Sequence, residues 1–193
     1  MGKSRMEAFS DGVIAIIITI MVLELRIPRG DDYSVLRPLI PVFLCYVLSF
    51  VHIGIYWNNH HHLLHTIHRV DGRILWSNLH LLFWLSMVPF VTGWMGENQF
   101  ASRPVALYAL VLLMSGIAYY ILTRAIIHRH GRDSALATAV GRDVKGVISV
   151  AIYAVAIPLA FLSRWIALGL IVLVAVMWLV PDPRIERTFS EPT

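Results

Sequence analysis

The chain has little of what stabilises small soluble domains. It holds one cysteine, Cys45, in 193 residues, so neither an intrachain disulfide nor a cysteine-based metal site is possible. Charged residues make up only 15% of the chain, and the basic ones are scattered rather than clustered. That scatter argues against a nucleic-acid footprint. We expect Cys45 to be a small buried apolar residue.

Several chemical signatures are missing as well. The chain has no glycine-rich phosphate loop, no nucleotide motif and no serine–histidine–aspartate order typical of a hydrolase. The segment VTGWMG at 91–96 lacks the T-V-G-Y-G pattern of a carbonyl selectivity filter. We therefore expect no enzyme activity, no cofactor and no filter of that kind.

Apolar residues are abundant, at 58% of the chain with a mean hydropathy of +0.69. Soluble domains average about 45–50%, and a helix that spans a bilayer needs about 20 mostly apolar residues. The sequence predicts an all-α integral membrane protein with six transmembrane helices and no soluble domain. The apolar stretches are 9–25, 36–57, 74–95, 104–123, 146–163 and 165–181.

Two regions follow from this pattern: a six-helix transmembrane domain over residues 1–181 and a short polar tail over 182–193. With six spans and an inner N-terminus, eleven basic residues fall on the inner side and five on the outer side. By the positive-inside rule, both termini are expected in the cytoplasm. The inner set is Lys3, Arg5, Arg69, Arg73, Arg124, Arg129, Arg132, Arg142, Lys145, Arg184 and Arg187; the outer set is Arg26, Arg29, Arg37, Arg103 and Arg164.

The first apolar stretch begins with a signal for a helix start and carries a carboxylate, Asp11, near that end. Ser4 and Glu7 fit the S-x-x-E capping box. Further along, a stripe with i, i+3, i+4 and i+7 spacing follows one helical face. Spacing alone favours a helix-packing seam for this stripe over a special role. Its residues are Ile16, Thr19, Ile20 and Leu23.

A second conspicuous segment is the run of histidines from His60 to His68. On a helix, His61, His65 and His68 share one face, and such pairs can bind zinc. The simpler interpretation is hydrated histidines at the inner end of a helix, and we expect no metal site. Metal binding and proton sensing stay open as alternatives. A di-iron membrane enzyme is disfavoured because only His128 and His130 could form a second histidine box.

The segment RMEAFSDGVIAIIIT, residues 5–19, resembles the R-x-x-x-F-S-D-G-V-x-A-I-x-x-T signature of the bacterial relatives of the endolysosomal potassium channel. Weaker matches follow at W-N-N-H-H (residues 57–61), N-L (78–79) and P-F before a threonine (89–92). The resemblance implies a potassium-permeable channel that is a homotetramer of six-helix chains in the bacterial plasma membrane. Its partners would be its own copies, lipid and monovalent cations, with K⁺ as the permeant ion.

The resemblance also implies residue roles. Ile16 matches the narrowest, hydrophobic part of the pore, Ile20 and Leu23 continue it, and Thr19 matches a polar layer beside it. Asp11 would join a network at the inner end of the first helix. The residues of this inner network are Arg5, Phe9, Ser10, Asp11, His60 and Asn78. The alternative function is a secondary transporter or metal-ion exporter that uses the His60–His68 cluster, which the absence of paired broken helices disfavours.

Overall fold

The computed structural model describes residues 2–65, 67, 69–130 and 144–179, and every regular element in these ranges is helical. The tail over 182–193, the end of the last predicted span and His68 lie outside the described residues. The elements are α1 (Lys3–Leu23), a 3-10 helix (Tyr33–Leu39), α2 (Ile40–His65), α3 (Gly72–Ser86), α4 (Val88–Glu97), α5 (Ser102–His130), α6 (Val144–Leu162) and α7 (Arg164–Leu179).

Each predicted apolar stretch corresponds to one helical span. Five spans are long and apolar enough to cross a bilayer: α1, α2 with its preceding 3-10 helix, α3 with α4, α5, and α6. The sixth, α7, is a shorter apolar helix of 16 residues and ends where the described residues end. The prediction of an all-α membrane fold with six helical spans is confirmed.

The third span is two helices rather than one. A break at Met87 separates α3 from α4, and proline occupies the first turn of α4. Pro89 has no amide hydrogen to give to the preceding turn, and its ring would crowd the carbonyl four residues back. The amide of Met87 instead bonds the Trp84 carbonyl, three residues back, at 3.2 Å.

One local prediction was wrong. Helix α1 begins at Lys3 after Gly2, which makes no side-chain cap bond, so Ser4 and Glu7 do not form the predicted capping box. The polar segment from Leu63 onward begins as helix, since α2 runs to His65. Polar side chains do not end a helix where its end reaches water, because they can be hydrated there.

Before α2, the 3-10 helix has an aspartate cap. The hydroxyl of Ser34 donates to the Asp32 carboxylate at 2.8 Å, and the Ser34 amide does so at 3.3 Å. These two bonds lower the pKa of Asp32. They satisfy amide groups that the start of a helix would otherwise leave unpaired.

The core lies around α5, which packs against α3, α4 and α6, while α1 packs against α2, α3 and α4. A buried hydroxyl cluster joins three helices: Ser49 bonds Thr92 at 2.6 Å and Tyr108 at 2.9 Å. Such groups need partners where no water is present. Cys45 is fully buried, as predicted.

Gly96 marks a close approach of α4 to α2. A Cβ on Gly96 would lie 2.8 Å from the backbone Cα of Val42, a contact that no side-chain rotation can relieve. Gly93, one turn earlier on α4, would meet only the Glu24 carboxylate at 3.5 Å.

We expect Gly96→Ala to lower stability by about 1–3 kcal/mol because α4 must move away from α2. Gly93→Ala is the matched control and should leave stability unchanged or slightly raised, since alanine favours a helix. The measurement is the thermal unfolding midpoint of each purified variant in detergent. Equal midpoints for the two variants would contradict the close approach.

Candidate functional site

Helix α1 has two opposite faces. The buried face packs on the rest of the chain and consists of Met6, Ser10, Ile14, Ile17 and Met21. The predicted stripe lies on the other face: Ile16 is 59% exposed, Ile20 42% and Leu23 76%, and Thr19 is exposed beside them. The stripe is therefore not a packing seam within this chain.

The Thr19 hydroxyl has a defined orientation. It donates to the Ala15 carbonyl of its own helix at 2.9 Å. Its hydrogen is thus used by the backbone, and the lone pairs of the exposed oxygen stay available as acceptors. An oxygen in this arrangement can contact a cation.

The buried face of α1 is held by a polar chain across three helices. The Ser10 hydroxyl donates to the Met6 carbonyl at 2.8 Å and accepts from the Asn78 amide at 2.9 Å. The Asn78 side-chain oxygen is 2.7 Å from Nε2 of His60. All three side chains are at most 2% exposed.

The direction of these bonds requires a hydrogen on one ring nitrogen of His60. Because the Asn78 amide nitrogen donates to Ser10, its oxygen must face His60, and that oxygen only accepts. His60 therefore carries a hydrogen on Nε2. Its Nδ1 is buried and has no hydrogen-bond partner among the described residues.

Asp11 lies outside this chain of bonds. Its Oδ1 accepts from the indole nitrogen of Trp57 on α2 at 3.1 Å. Arg5 and Phe9 are exposed, and within the described ranges Arg5 has no ion-pair partner. The structure thus joins Ser10, His60 and Asn78, places Asp11 on Trp57, and does not bring Arg5 to either.

The roles of Trp57 and Glu7 were not predicted from the sequence. Trp57 belongs to the matched W-N-N-H-H segment and lies one turn before His61, so it could have been found as a partner for a residue on α1. Glu7 was assigned to the capping box. In the fold its carboxylate instead faces His65 on α2, at 4.0 Å.

These features define a helical membrane protein whose first helix is bound by polar contacts on one side and bare on the other. The sequence model of the family described as endosomal/lysosomal potassium channel TMEM175 matches residues 5–89. That range contains α1 from Arg5 onward, the whole polar chain and the break at Met87.

Similar proteins match over nearly the whole chain. A potassium channel from Chryseobacterium sp. (strain P1-3) is 52% identical over 99% of this chain and 100% of its own length. A potassium channel from Chamaesiphon minutus is 32% identical over 89% of this chain and 91% of its own.

The fold is similar too. The crystal structure of a lysosomal potassium-selective channel TMEM175 homolog from Chamaesiphon minutus superposes with a TM-score of 0.77, at 28% identity over 92% of this chain and 96% of that chain. The chain belongs to the TMEM175 family, a family of channels rather than enzymes.

We expect substitutions of Asn78, Ser10 and Asp11 to lower stability in that order, with the largest effect first. Asn78→Ala removes two buried bonds, and each partner left unsatisfied costs about 1–3 kcal/mol. Ser10→Ala removes one of them. Asp11→Asn keeps an oxygen for the Trp57 indole and should have the smallest effect. Thermal unfolding midpoints in detergent measure the order.

The control for loss of an asparagine amide is Asn98→Ala. Asn98 lies in the exposed turn after α4, where its side chain bonds only the Trp94 carbonyl of its own turn. If Asn78→Ala were no more destabilising than Asn98→Ala, the polar chain would not be what holds α1 in place.

Proposed function

We propose that this chain forms a potassium-permeable cation channel. Four identical chains surround one pore, and α1 of each chain lines it. The apolar stripe forms a hydrophobic constriction at Ile16, with Ile20 and Leu23 beyond it. No carbonyl selectivity filter and no cofactor take part, and K⁺ is the permeant ion.

One observation carries this proposal: the exposed stripe of α1 points away from its own bundle. Three exposed apolar residues and a threonine along one face of a helix need another surface, and one chain supplies only one such stripe. Closed cyclic symmetry is the usual way to bury a repeated surface without leaving an open end. The potassium-channel names of relatives that match over nearly the whole chain support the ion.

Lipid could also cover an apolar stripe, because acyl chains solvate isoleucine well. The exposed side of α1, however, also carries Ala8, Gly12 and Ala15. Small residues let membrane helices approach closely and are enriched where helices meet. This composition favours contact between copies of α1 over contact with lipid.

The stripe suits conduction by alternating two kinds of surface. Four Ile16 side chains form an apolar ring that excludes water when the pore is narrow, and such rings gate by dewetting. Four Thr19 oxygens, whose hydrogens are used by the Ala15 carbonyls, offer acceptor contacts to a passing cation.

The distribution of the basic residues supports an orientation of the chain in the membrane. We place it in the bacterial plasma membrane with the N- and C-termini in the cytoplasm, on the eleven-to-five asymmetry of arginine and lysine. The polar chain of Ser10, His60 and Asn78 then lies towards the inner end of α1, because residue 10 precedes the middle of Lys3–Leu23.

The alternative function is a secondary transporter or metal-ion exporter that uses the histidines of α2. A carrier needs a driving gradient or a coupled ion, whereas a channel passes current on voltage alone. Recording purified protein in a planar bilayer under symmetric potassium chloride separates them. A steady macroscopic current supports the channel, and strictly coupled flux without current supports the carrier.

The gate gives a sharper prediction. Ile16→Asn should raise conductance or open probability and reduce discrimination between potassium and sodium, because four amides would wet the ring. The fold should tolerate the change, since Ile16 is 59% exposed within the chain. The measurements are single-channel current and reversal potential in planar bilayers.

The matched control is Ile121→Asn on α5, an isoleucine that is 41% exposed but lies on a helix assigned no part in the pore. Ile17 is unsuitable because it is 3% exposed, and an amide there would disrupt packing. If the two variants conduct like the parent chain, or gain conductance equally, the α1 stripe does not line the pore.

A further inference from the structure

A cluster of possible metal ligands lies where α1 meets the end of α2. Glu7 of α1 and His61 and His65 of α2 each offer a ligand atom, and these atoms all lie within 4.8 Å of one another. None of the three belongs to the α1 stripe or to the polar chain of Ser10, His60 and Asn78. The sequence indicates the histidine pair by its i, i+4 spacing but not the carboxylate, which comes from another helix.

The two imidazole nitrogens are already at a chelating distance. Nε2 of His61 and Nε2 of His65 are 3.1 Å apart. Two zinc–nitrogen bonds of about 2.0–2.1 Å at a tetrahedral angle put their nitrogens about 3.3 Å apart. The separation of the two nitrogens is thus close to that of two zinc ligands, and a metal ion would replace the hydrogen that the two nitrogens share.

The carboxylate needs only a small adjustment. Oε1 of Glu7 is 4.0 Å from Nε2 of His65, and the Glu7 side chain is 23% exposed, which leaves room for a torsional change. Two features hold the neighbouring backbone and ring in place. The Lys3 ammonium donates to the His65 carbonyl at 2.9 Å, and the His61 ring stacks on Trp57.

We propose that Glu7, His61 and His65 form a binding site for a divalent transition metal of the Zn²⁺ class, with water completing the coordination. Two imidazoles and one carboxylate suit Zn²⁺ and Co²⁺. Mg²⁺ and Ca²⁺ prefer all-oxygen sites and are not expected to compete. The site is open on one side, because the His65 side chain is 54% exposed.

Metal binding here would join α1 to α2. The ligands come from both helices, so a bound ion adds a link next to the bond between Trp57 and Asp11. The link would hold the inner end of α1 in place. Its effect on current rests on the proposed function, in which α1 lines the pore: zinc would then reduce the current. Binding itself does not depend on whether the chain conducts.

The first test measures binding without any current. Isothermal titration of purified full-length protein in detergent with ZnCl₂ should show one ion per chain, and Co²⁺ should give the visible absorption of a tetrahedral site. His65→Ala removes a ligand and should weaken zinc binding at least about tenfold. Mutations of residues that only support a metal ligand already cost about that much in metal affinity. Glu7→Gln should weaken it too, since the amide is a poor ligand.

The matched control is His62→Ala, which removes the exposed histidine next to His61 on α2. It should leave zinc affinity unchanged. Magnesium chloride is the control ion and should give no heat beyond dilution. Size-exclusion profiles establish that each variant stays assembled. Loss of affinity in His62→Ala equal to that in His65→Ala, or zinc binding that survives both His65→Ala and Glu7→Gln, would overturn the site.

The second test applies ZnCl₂ to the cytoplasmic side of protein in planar bilayers. Current should fall in the parent chain and in His62→Ala but not in His65→Ala. If zinc binds without changing the current, the effect on gating is refuted and the proposed binding site stands. A protein that binds zinc at this site but passes no current refutes the proposed channel and leaves the site as well. Absence of binding refutes the site, whatever the current.

Discussion

The arrangement of this molecule depends on how buried polar groups are satisfied where no water can reach them. In a bilayer, an unpaired donor or acceptor costs several kcal/mol, so each must find a partner within the protein. Ser10, Asn78 and Nε2 of His60 meet this requirement with one chain of bonds from α1 through α3 to α2, and Nδ1 of His60 is the one atom of these side chains left without a partner among the described residues. A rotation of α1 about its axis would break it. The polar chain therefore determines which face of α1 stays bare.

The bare face then connects the fold to the function. With Ser10 directed inward, Ile16, Ile20 and Leu23 must face outward, because they lie on the opposite side of the same helix. Gly12 and the neighbouring alanines make that side narrow enough for close contact between copies. The Glu7–His61–His65 cluster lies along the same α1–α2 seam. The contact between α1 and α2 thus has two proposed roles: it orients the pore-lining helix, and it carries the metal site that would regulate the current.

Much of the fold could be predicted from the sequence because hydrophobic length is a strong signal in membrane proteins. Each of the six apolar stretches corresponds to a helical span, and the buried state of Cys45 is confirmed. Helix ends were less predictable: the capping box at Ser4 and Glu7 did not form, and α2 continues through its histidines. Polar residues are compatible with either helix or loop at a water interface, so composition alone does not place such boundaries.

The site was partly predictable for a different reason. Residues on one helix can be placed on a common face by spacing, which found the stripe on α1 and the pair His61 and His65. Contacts between helices depend on packing that no spacing reveals, so Trp57 as the partner of Asp11 and Glu7 as the partner of His65 emerged only in the fold. The number of chains around the pore likewise cannot be obtained from one chain.

The most direct measurement is the distance between copies of α1 in the assembled protein. Spin labels on Leu23→Cys, with Cys45 buried and unreactive, report that distance by pulsed electron resonance. Four α1 helices around one axis predict two short distances in a ratio of about 1.4, the side and diagonal of a square. Labels on Ile166→Cys of α7 should be farther apart. A single distance, or Leu23 labels more distant than Ile166 labels, would contradict a pore lined by four first helices.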